Sequence, residues 1–469
     1  MNSARDWIVD RFALRPIYDR LLDRRVPRSP WYAGDGAALM LLLGVQILTG
    51  AALSLTYSPA ADSAYASVEH ITEAQVLGWF VRGLHYWSAG LMVVMLFYHL
   101  FRQILLAGYK APREGTWLIG VLLFFAVLLM SYTGYLLRWD ERAVHGVRVT
   151  LHMLSRVPMV GESLTLIAQR GPELGPQTLS QLYGLHVVIL PLLIVGLTGY
   201  HLYLIVQRGT ITRAERHQPV ETAEHQRELY RTEKTSVRGG EHFFPETAFK
   251  SGLMATLVLT AAIALTMFVG APRLFPEGNL VESSLPAEEW WFWWFSGLIA
   301  LLPPSIAPWF VVLVPIVAFT VLILLPFVDR GPSRGVKHRP GWAFGVILLI
   351  VALLALTDYR RRSPFTGWPD PAPPPIPIGV ELTEAAERGR VAFADLGCNS
   401  CHPVSGRGRT VGPDLARLTP PRSRLQIEQY VLQPPVEAAM PAYAGRISEE
   451  DLSDVVEFCH VAQTFPRRL

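Results

Sequence analysis

WFVRGLHYWSAGLMVVMLFYHLF, residues 79–101, decides the fold. The stretch is long and apolar enough to cross a bilayer, yet it carries His85 and His99. Ionisable groups inside a membrane span are functional candidates by default. The two are 14 residues apart. That is about 21 Å of helix rise and roughly 40° short of four full turns, so both sit on one face. A second stretch, LYGLHVVILPLLIVGLTGYHLYLIV (182–206), places His186 and His201 15 residues apart, roughly 60° past four turns. A lone polar residue in a span is commonly bonded to a neighbouring helix, but four histidines in two matched pairs weaken that reading. Two such helices offer two levels of paired imidazoles. Each pair can hold one haem iron from both sides, which leaves no open position and suits electron transfer rather than oxygen binding.

The rest of the chain agrees with a membrane setting. Of 469 residues, 51% are hydrophobic and only 17% charged, against roughly 25% in soluble domains. A soluble enzyme, a disordered chain and a coiled coil are poor readings, and a net charge of +3 is too small to argue for nucleic acid. Seven spans, A to G, are expected near 36–57, 79–101, 116–137, 182–206, 248–270, 308–328 and 341–358. The basic N-terminus, residues 1–35, lacks a continuous apolar core, so it reads as an amphipathic surface helix rather than a cleaved signal. Residues 363–380, SPFTGWPDPAPPPIPIGV, read as an extended spacer, and 381–469 as a small soluble helical domain. Lys and Arg collect in the N-terminus and the B–C, D–E and F–G segments, with seven in 207–246 and four in 329–340. The A–B segment has none and the E–F segment only Arg273. Arg360 to Arg362 run against this bias, but the total puts the N-terminus inside and, after seven spans, the C-terminal domain outside. His85 and His186 then pair near the outside, and His99 and His201 near the inside.

Room for a flat macrocycle is marked by glycines. Span A has Gly36 and Gly50, and span C has Gly120 and Gly134, each pair 14 apart like the histidines of B. Arg82 and Arg102 sit three residues from His85 and His99, where they can meet haem propionates or snorkel to the interface. In the soluble domain, residues 398–402 are CNSCH. This C-x-x-C-H pattern attaches a haem through Cys398 and Cys401 and makes His402 the proximal ligand. The competing reading is a thiol redox pair or a zinc site, and no second Cys/His pair completes the latter. Met440, in AAMPAY, is the favoured sixth ligand, since a thioether raises the potential, and His460 is its rival. Cys459 reads as a buried small apolar residue. With three cysteines in all, neither a disulfide framework nor a further multi-cysteine iron–sulfur cluster fits.

Taken together, GLHYWSA, FYHLFR, YKAPREGTW, TGYLLRW and LYGLHVVILP resemble the cytochrome b of cytochrome bc complexes, most of all its split photosynthetic form. Residues 36–210 resemble the four-helix dihaem subunit and 211–362 its three-helix partner, with 381–469 similar to a single-haem cytochrome c domain. The implied fold is an all-α polytopic membrane protein with a small α-helical cytochrome c domain. The implied cofactors are two non-covalent haem b and one covalent haem c. Glu288-Glu289-Trp290-Trp291 stands where the family has Pro-Glu-Trp-Tyr. The resemblance therefore implies that Glu289 takes a quinol proton, and that Tyr135 and Trp139 wall the same outer pocket. Arg138 replaces a family proline there, and residues 150–181 would form surface helices over it. Ala33 stands where the photosynthetic branch attaches an extra haem to cysteine, so no third membrane haem is expected.

The function this implies is quinol oxidation with divided electron flow in a quinol:cytochrome c oxidoreductase of the cytoplasmic membrane. One electron goes to a Rieske iron–sulfur partner and then to the cytochrome c domain, which passes it to a cytochrome c or other acceptor. The second goes through the outer haem to the inner haem and reduces quinone there, with protons taken from inside. Arg208 and the D–E loop are the candidates for that inner site. A homodimer within a multisubunit complex is implied by the resemblance alone. The alternative is a dihaem membrane anchor relaying electrons between a dehydrogenase and quinone without bifurcation. Another is an electron wire with no quinone turnover of its own. A co-purifying Rieske subunit and quinol-dependent reduction of both haem types would separate these.

Overall fold

In a computed structural model of the chain, the residues described are 4–155, 157, 159–171, 174–275, 277, 288–302, 306–362, 373–377, 379–405, 412–435, 440, 442–445 and 447–466. Most of the proline-rich spacer, 363–372 and 378, lies outside them. The protein is mostly helical. Among the described residues, seven helices are long and apolar enough to cross a membrane: A, Asp35–Ser54; B, Gly78–Leu105; C, Glu114–Leu136; D, Pro176–Arg208; E, Phe243–Phe268; F, Trp309–Val328; and G, Pro340–Arg361. The main difference from the expected spans is that D begins six residues earlier. Pro176 occupies its first turn, where a missing N–H costs nothing.

The N-terminal segment departs from the single surface helix expected. It forms two short helices, Ala4–Arg11 and Arg15–Leu21, with Ala13 between them in a left-handed conformation. A short strand, Arg25–Pro27, follows and pairs antiparallel with Gly240–His242, tying the N-terminus to the segment before span E. Further short helices, Ala64–Glu73, Glu141–Ser155 and Gly161–Gln169, lie between spans. The helix Trp293–Ala300 before span F had no counterpart in the sequence reading.

The chain divides into two compact units. The first holds residues 1–139, 154–274 and 308–354. In it A packs on B, C packs on D, and E lies against both A and B. A cluster of Ala38, Leu42, Met92, Met95, Ala126, Val127, Ile194 and Ala255 joins five spans. These residues fall in sequence between the two histidine levels of B and D, so the levels are separated by an apolar plug. At the other end, the B–C, D–E and F–G loops meet in a buried ion network. Arg113 donates to both oxygens of Glu215 at 2.8 Å, and Arg334 reaches the same carboxylate at 3.2 Å. Lys110 pairs with Asp329 at 2.8 Å, and Arg339 and Tyr109 close on its other oxygen. These three loops therefore share one face of the membrane domain.

The second unit holds residues 140–153, 275–307 and 355–469. Its C-terminal part is built on helices Glu384–Asp395 and Glu449–Ala462, which cross where Gly389 leaves no room for a side chain against the Asp454 carbonyl. Phe393, Phe458 and Phe465 stack edge-on in its core, with ring centroids 5.3 and 6.4 Å apart.

Candidate functional site: three histidine-centred cradles

At the first membrane level, His85 of B and His186 of D come together with ring centroids 6.4 Å apart. Two imidazoles on opposite faces of one iron have centroids about 6 Å apart, given metal–nitrogen bonds of ~2.0 Å and the half-width of each ring. The hydrogen bonds orient both rings. Thr49 donates its hydroxyl proton to Val45 O at 2.6 Å, so its oxygen accepts from His85 Nδ1 at 2.8 Å. His186 Nδ1 donates to Met130 O at 3.0 Å, with the Thr133 oxygen at 3.2 Å. Both rings thus carry their proton on Nδ1 and leave the Nε2 lone pair for a metal, as metal-ligating histidines commonly do.

At the second level, His99 of B donates through Nδ1 to Asp35 of A at 2.6 Å. His201 Nδ1 is buried and makes no hydrogen bond of good geometry. Two of the expected glycines sit on this framework at van der Waals limit: a Cβ on Gly50 would stand 3.2 Å from the His85 ring and one on Gly120 3.2 Å from the His201 ring. At Gly134 a Cβ would be 2.5 Å from His186, which is too close for any side chain. Gly36 has open space around it. The donor set, with three Nδ1 atoms engaged and glycines pressed on the rings, fits two bis-histidine haems.

One element of this geometry had no sequence signal. Span D contains a π-helical turn at Leu185–Ile189, around His186 itself. A π turn closes over one more residue than an α turn. It takes up the odd residue of the 15-residue interval in D, so that His186 and His201 meet partners spaced by 14 in B.

The arginines are occupied by protein groups. Arg82 is buried and donates to Thr72 at 3.0 Å and to Pro272 O at 2.6 Å. Arg102 holds Asp35 with two hydrogen bonds, at 3.1 and 2.7 Å. Tyr135 is buried with the Arg138 guanidinium 5.0 Å from its ring centre, and Trp139 is buried next to it in sequence. In the other unit the two neighbouring acids differ. Glu288 is gripped by Arg360 at 2.8 and 3.1 Å, which gives this arginine at the end of span G a partner. Glu289 is buried.

On the face of the D–E loop, a cavity of about 760 Å³ is lined by Arg28, Trp31, Arg213, Arg216, His217 and Lys250, among others. Arg208 is exposed and is not part of that lining; the basic residues a few positions on are.

The third cradle is in the C-terminal domain. Gly397, with φ of 74°, turns the chain out of the helix Glu384–Asp395 and into CNSCH. His402 Nδ1 donates to Pro413 O at 3.0 Å, again leaving Nε2 for a metal. A Cβ on Gly412 would lie 2.5 Å from the His402 ring. Burial holds the His402 imidazole below its ordinary pKa, against the opposing pull of the Pro413 carbonyl, and so keeps it in the neutral, ligating form. Cys398, Met440 and Tyr443 pack on the same core cluster. His460 Nδ1 instead lies 3.4 Å from Arg422 O. Burial pushes the Cys398 thiol up to about 12. That is the opposite of the thiolate a redox pair needs. Cys459 is buried in the core, with its thiol pushed up by burial.

Comparison with known proteins gives the same partition. Residues 26–209 match the family model of cytochrome b/b6/petB, 284–366 that of cytochrome b(C-terminal)/b6/petD, and 386–461 that of cytochrome c. The cytochrome bc complex cytochrome b subunit of Chlorobaculum thiosulfatiphilum is 31% identical over 378 residues, 78% of this chain and 83% of that protein. Cytochrome b/c1 of Bradyrhizobium diazoefficiens is 28% identical over 78% of this chain and 51% of its own length. Among solved structures, a chain of a hyperthermophilic respiratory Complex III matches with a TM-score of 0.66 at 25% identity, covering 77% of this chain and 92% of that one. The chain is therefore a multi-pass membrane protein of the cytochrome b family of bc-type quinol:cytochrome c oxidoreductase complexes, with haem b and haem c domains in one polypeptide.

Proposed function

We propose that the chain is the membrane subunit in which quinol is oxidised on the extracytoplasmic side and quinone is reduced on the cytoplasmic side. It would hold two haem b, on His85/His186 and His99/His201, and one haem c on Cys398, Cys401 and His402 with Met440 as sixth ligand. When bound, these groups supply one-electron transfer, so that one electron of each quinol leaves by a Rieske partner and the cytochrome c domain while the other crosses the bilayer. Glu289 accepts a quinol proton, and Tyr135, with Arg138 stacked on its ring, contacts the quinol head group. The half-buried Glu288–Arg360 pair keeps the neighbouring acid out of that proton transfer. The inner quinone sits in the cavity beside the D–E loop, with His217 and Lys250 as proton donors. In this reading the shared face of the B–C, D–E and F–G loops is cytoplasmic, following the charge bias. The complex is a homodimer that delivers electrons to a cytochrome c or a comparable acceptor.

The observation that carries the reading is the two-level arrangement of histidines, three of them with engaged Nδ1 atoms, separated by an apolar plug. Pyridine haemochrome spectra of the purified protein test it. Two haem b per haem c are expected, with both types reduced by quinol when the Rieske partner co-purifies. A ratio of one to one would remove the transmembrane route.

A further inference from the structure

Asp35 is the first residue of span A and is fully buried. Its Oδ2 accepts from His99 Nδ1 at 2.6 Å and from Arg102 Nε at 3.1 Å, and its Oδ1 accepts from Arg102 Nη2 at 2.7 Å. The other membrane histidines have weaker partners. His85 has a threonine hydroxyl, His186 a carbonyl and a hydroxyl, and His201 no hydrogen bond of good geometry. A buried carboxylate is costly unless paired, and Arg102 alone would satisfy that need. Here one oxygen is shared with an imidazole.

We propose that Asp35 is a positioning residue that sets the redox potential of the inner haem through His99. The proposal rests on His99 and His201 being that haem's ligands. A carboxylate only accepts hydrogen bonds, so it fixes the His99 proton on Nδ1 and aims the Nε2 lone pair at the iron. Carboxylate partners raise the basicity of a ligating histidine, and a charge-assisted hydrogen bond is roughly twice as strong as a neutral one. A more donating ligand, with a negative charge behind it, favours the ferric over the ferrous state. The reaction concerned is addition of one electron to ferric iron, with no bond made or broken. The inner haem is thus held at a lower potential than a neutral hydrogen-bond acceptor would give, and only this level has the device. Arg102 offsets part of the charge in the surroundings, but the hydrogen bond acts on the ligand itself.

The test is an anaerobic redox titration of the full chain in its complex, read in the haem b bands, with EPR of the ferric haems. The inner component is identified by its loss in His201→Ala. In Asp35→Asn the inner haem is expected to become about tenfold easier to reduce, a rise of ~59 mV for a one-electron couple. Its EPR g values shift while the outer haem is unchanged, and Asp35→Glu returns both readouts toward the parent. An unmoved inner midpoint with the haem retained overturns the proposal. If Asp35→Asn loses the inner haem, Asp35→Ser is titrated instead, since it keeps an oxygen acceptor without the charge, and the same rise is expected. An unmoved midpoint there, or loss of the inner haem from it as well, leaves Asp35 as a scaffold residue. A parent protein with a single haem b component would instead remove the ligand reading itself, which separates the two failures.

Discussion

Glu288 and Glu289 are adjacent acids with different surroundings, and the proposed proton role falls on Glu289. Glu288 accepts two hydrogen bonds from Arg360, while Glu289 is the more deeply buried of the two. General acid–base groups contribute about 10²- to 10⁴-fold. Glu289→Gln is therefore expected to cut quinol oxidation by at least ~10²-fold with haem spectra intact, whereas Glu288→Gln should keep most turnover and lose stability. Steady-state quinol:acceptor assays and thermal melts on the two variants check this. Close packing yields a second residue-scale prediction. Gly134→Ala would set a methyl 2.5 Å from the His186 ring, and the haem at that level should be lost or loosely held. Gly252→Ala on span E, with open space around it, should leave haem content unchanged. Haem stoichiometry measures both.

At the scale of elements, the π turn in span D is the informative piece. Removing one residue from it, for example Val188, lets the segment close as plain α-helix with a 14-residue interval like that of span B. Both haem b should be retained. Inserting one alanine after Ile194 instead adds about 100° of rotation with no second π turn to absorb it, and one haem b should disappear. If the deletion loses a haem and the insertion does not, the register argument is wrong. The 15-residue spacing was plain in the sequence, but no residue type marks where a helix widens. The turn arises because packing of D on C holds both ends of the span in place.

At the scale of the molecule, the ion network on the loop face joins segments far apart in sequence. Glu215 is buried; burial would raise its pKa, but hydrogen bonds and charge from Arg113, with Gln226 and Arg334, hold it below the usual carboxylate value of 4.5. A depressed carboxylate stabilises the fold fully above its unfolded pKa, and that share is lost as the pH falls through the folded pKa. This contribution to thermal stability should therefore be flat near neutrality and fall only on acidification below about pH 4.3. Glu215→Gln should abolish that part of the acid dependence. By leaving Arg113 and Arg334 without a counter-charge, it should also cost about 3–5 kcal/mol, measurable by melting across pH.

What the sequence determined by itself was whatever depends on local pattern. Hydropathy located seven spans, because a bilayer demands a continuous apolar length. Helical periodicity put His85 and His99 on one face, and the CNSCH spacing announced a covalent haem, because thioether chemistry requires those residues together. Motifs along 30–210 were specific enough to reach the cytochrome b family. The tertiary structure alone decided the partners. Arg102 was read as a group for propionates or the interface, and the fold gives it Asp35. Glu288 takes its partner, Arg360, from 72 positions away. The D–E loop was indicated, but the arginines around its cavity were not. The reason is physical: spacing along a helix fixes which face a side chain occupies, but a buried charge takes whichever partner packing brings to it, and that choice is made between elements rather than within them.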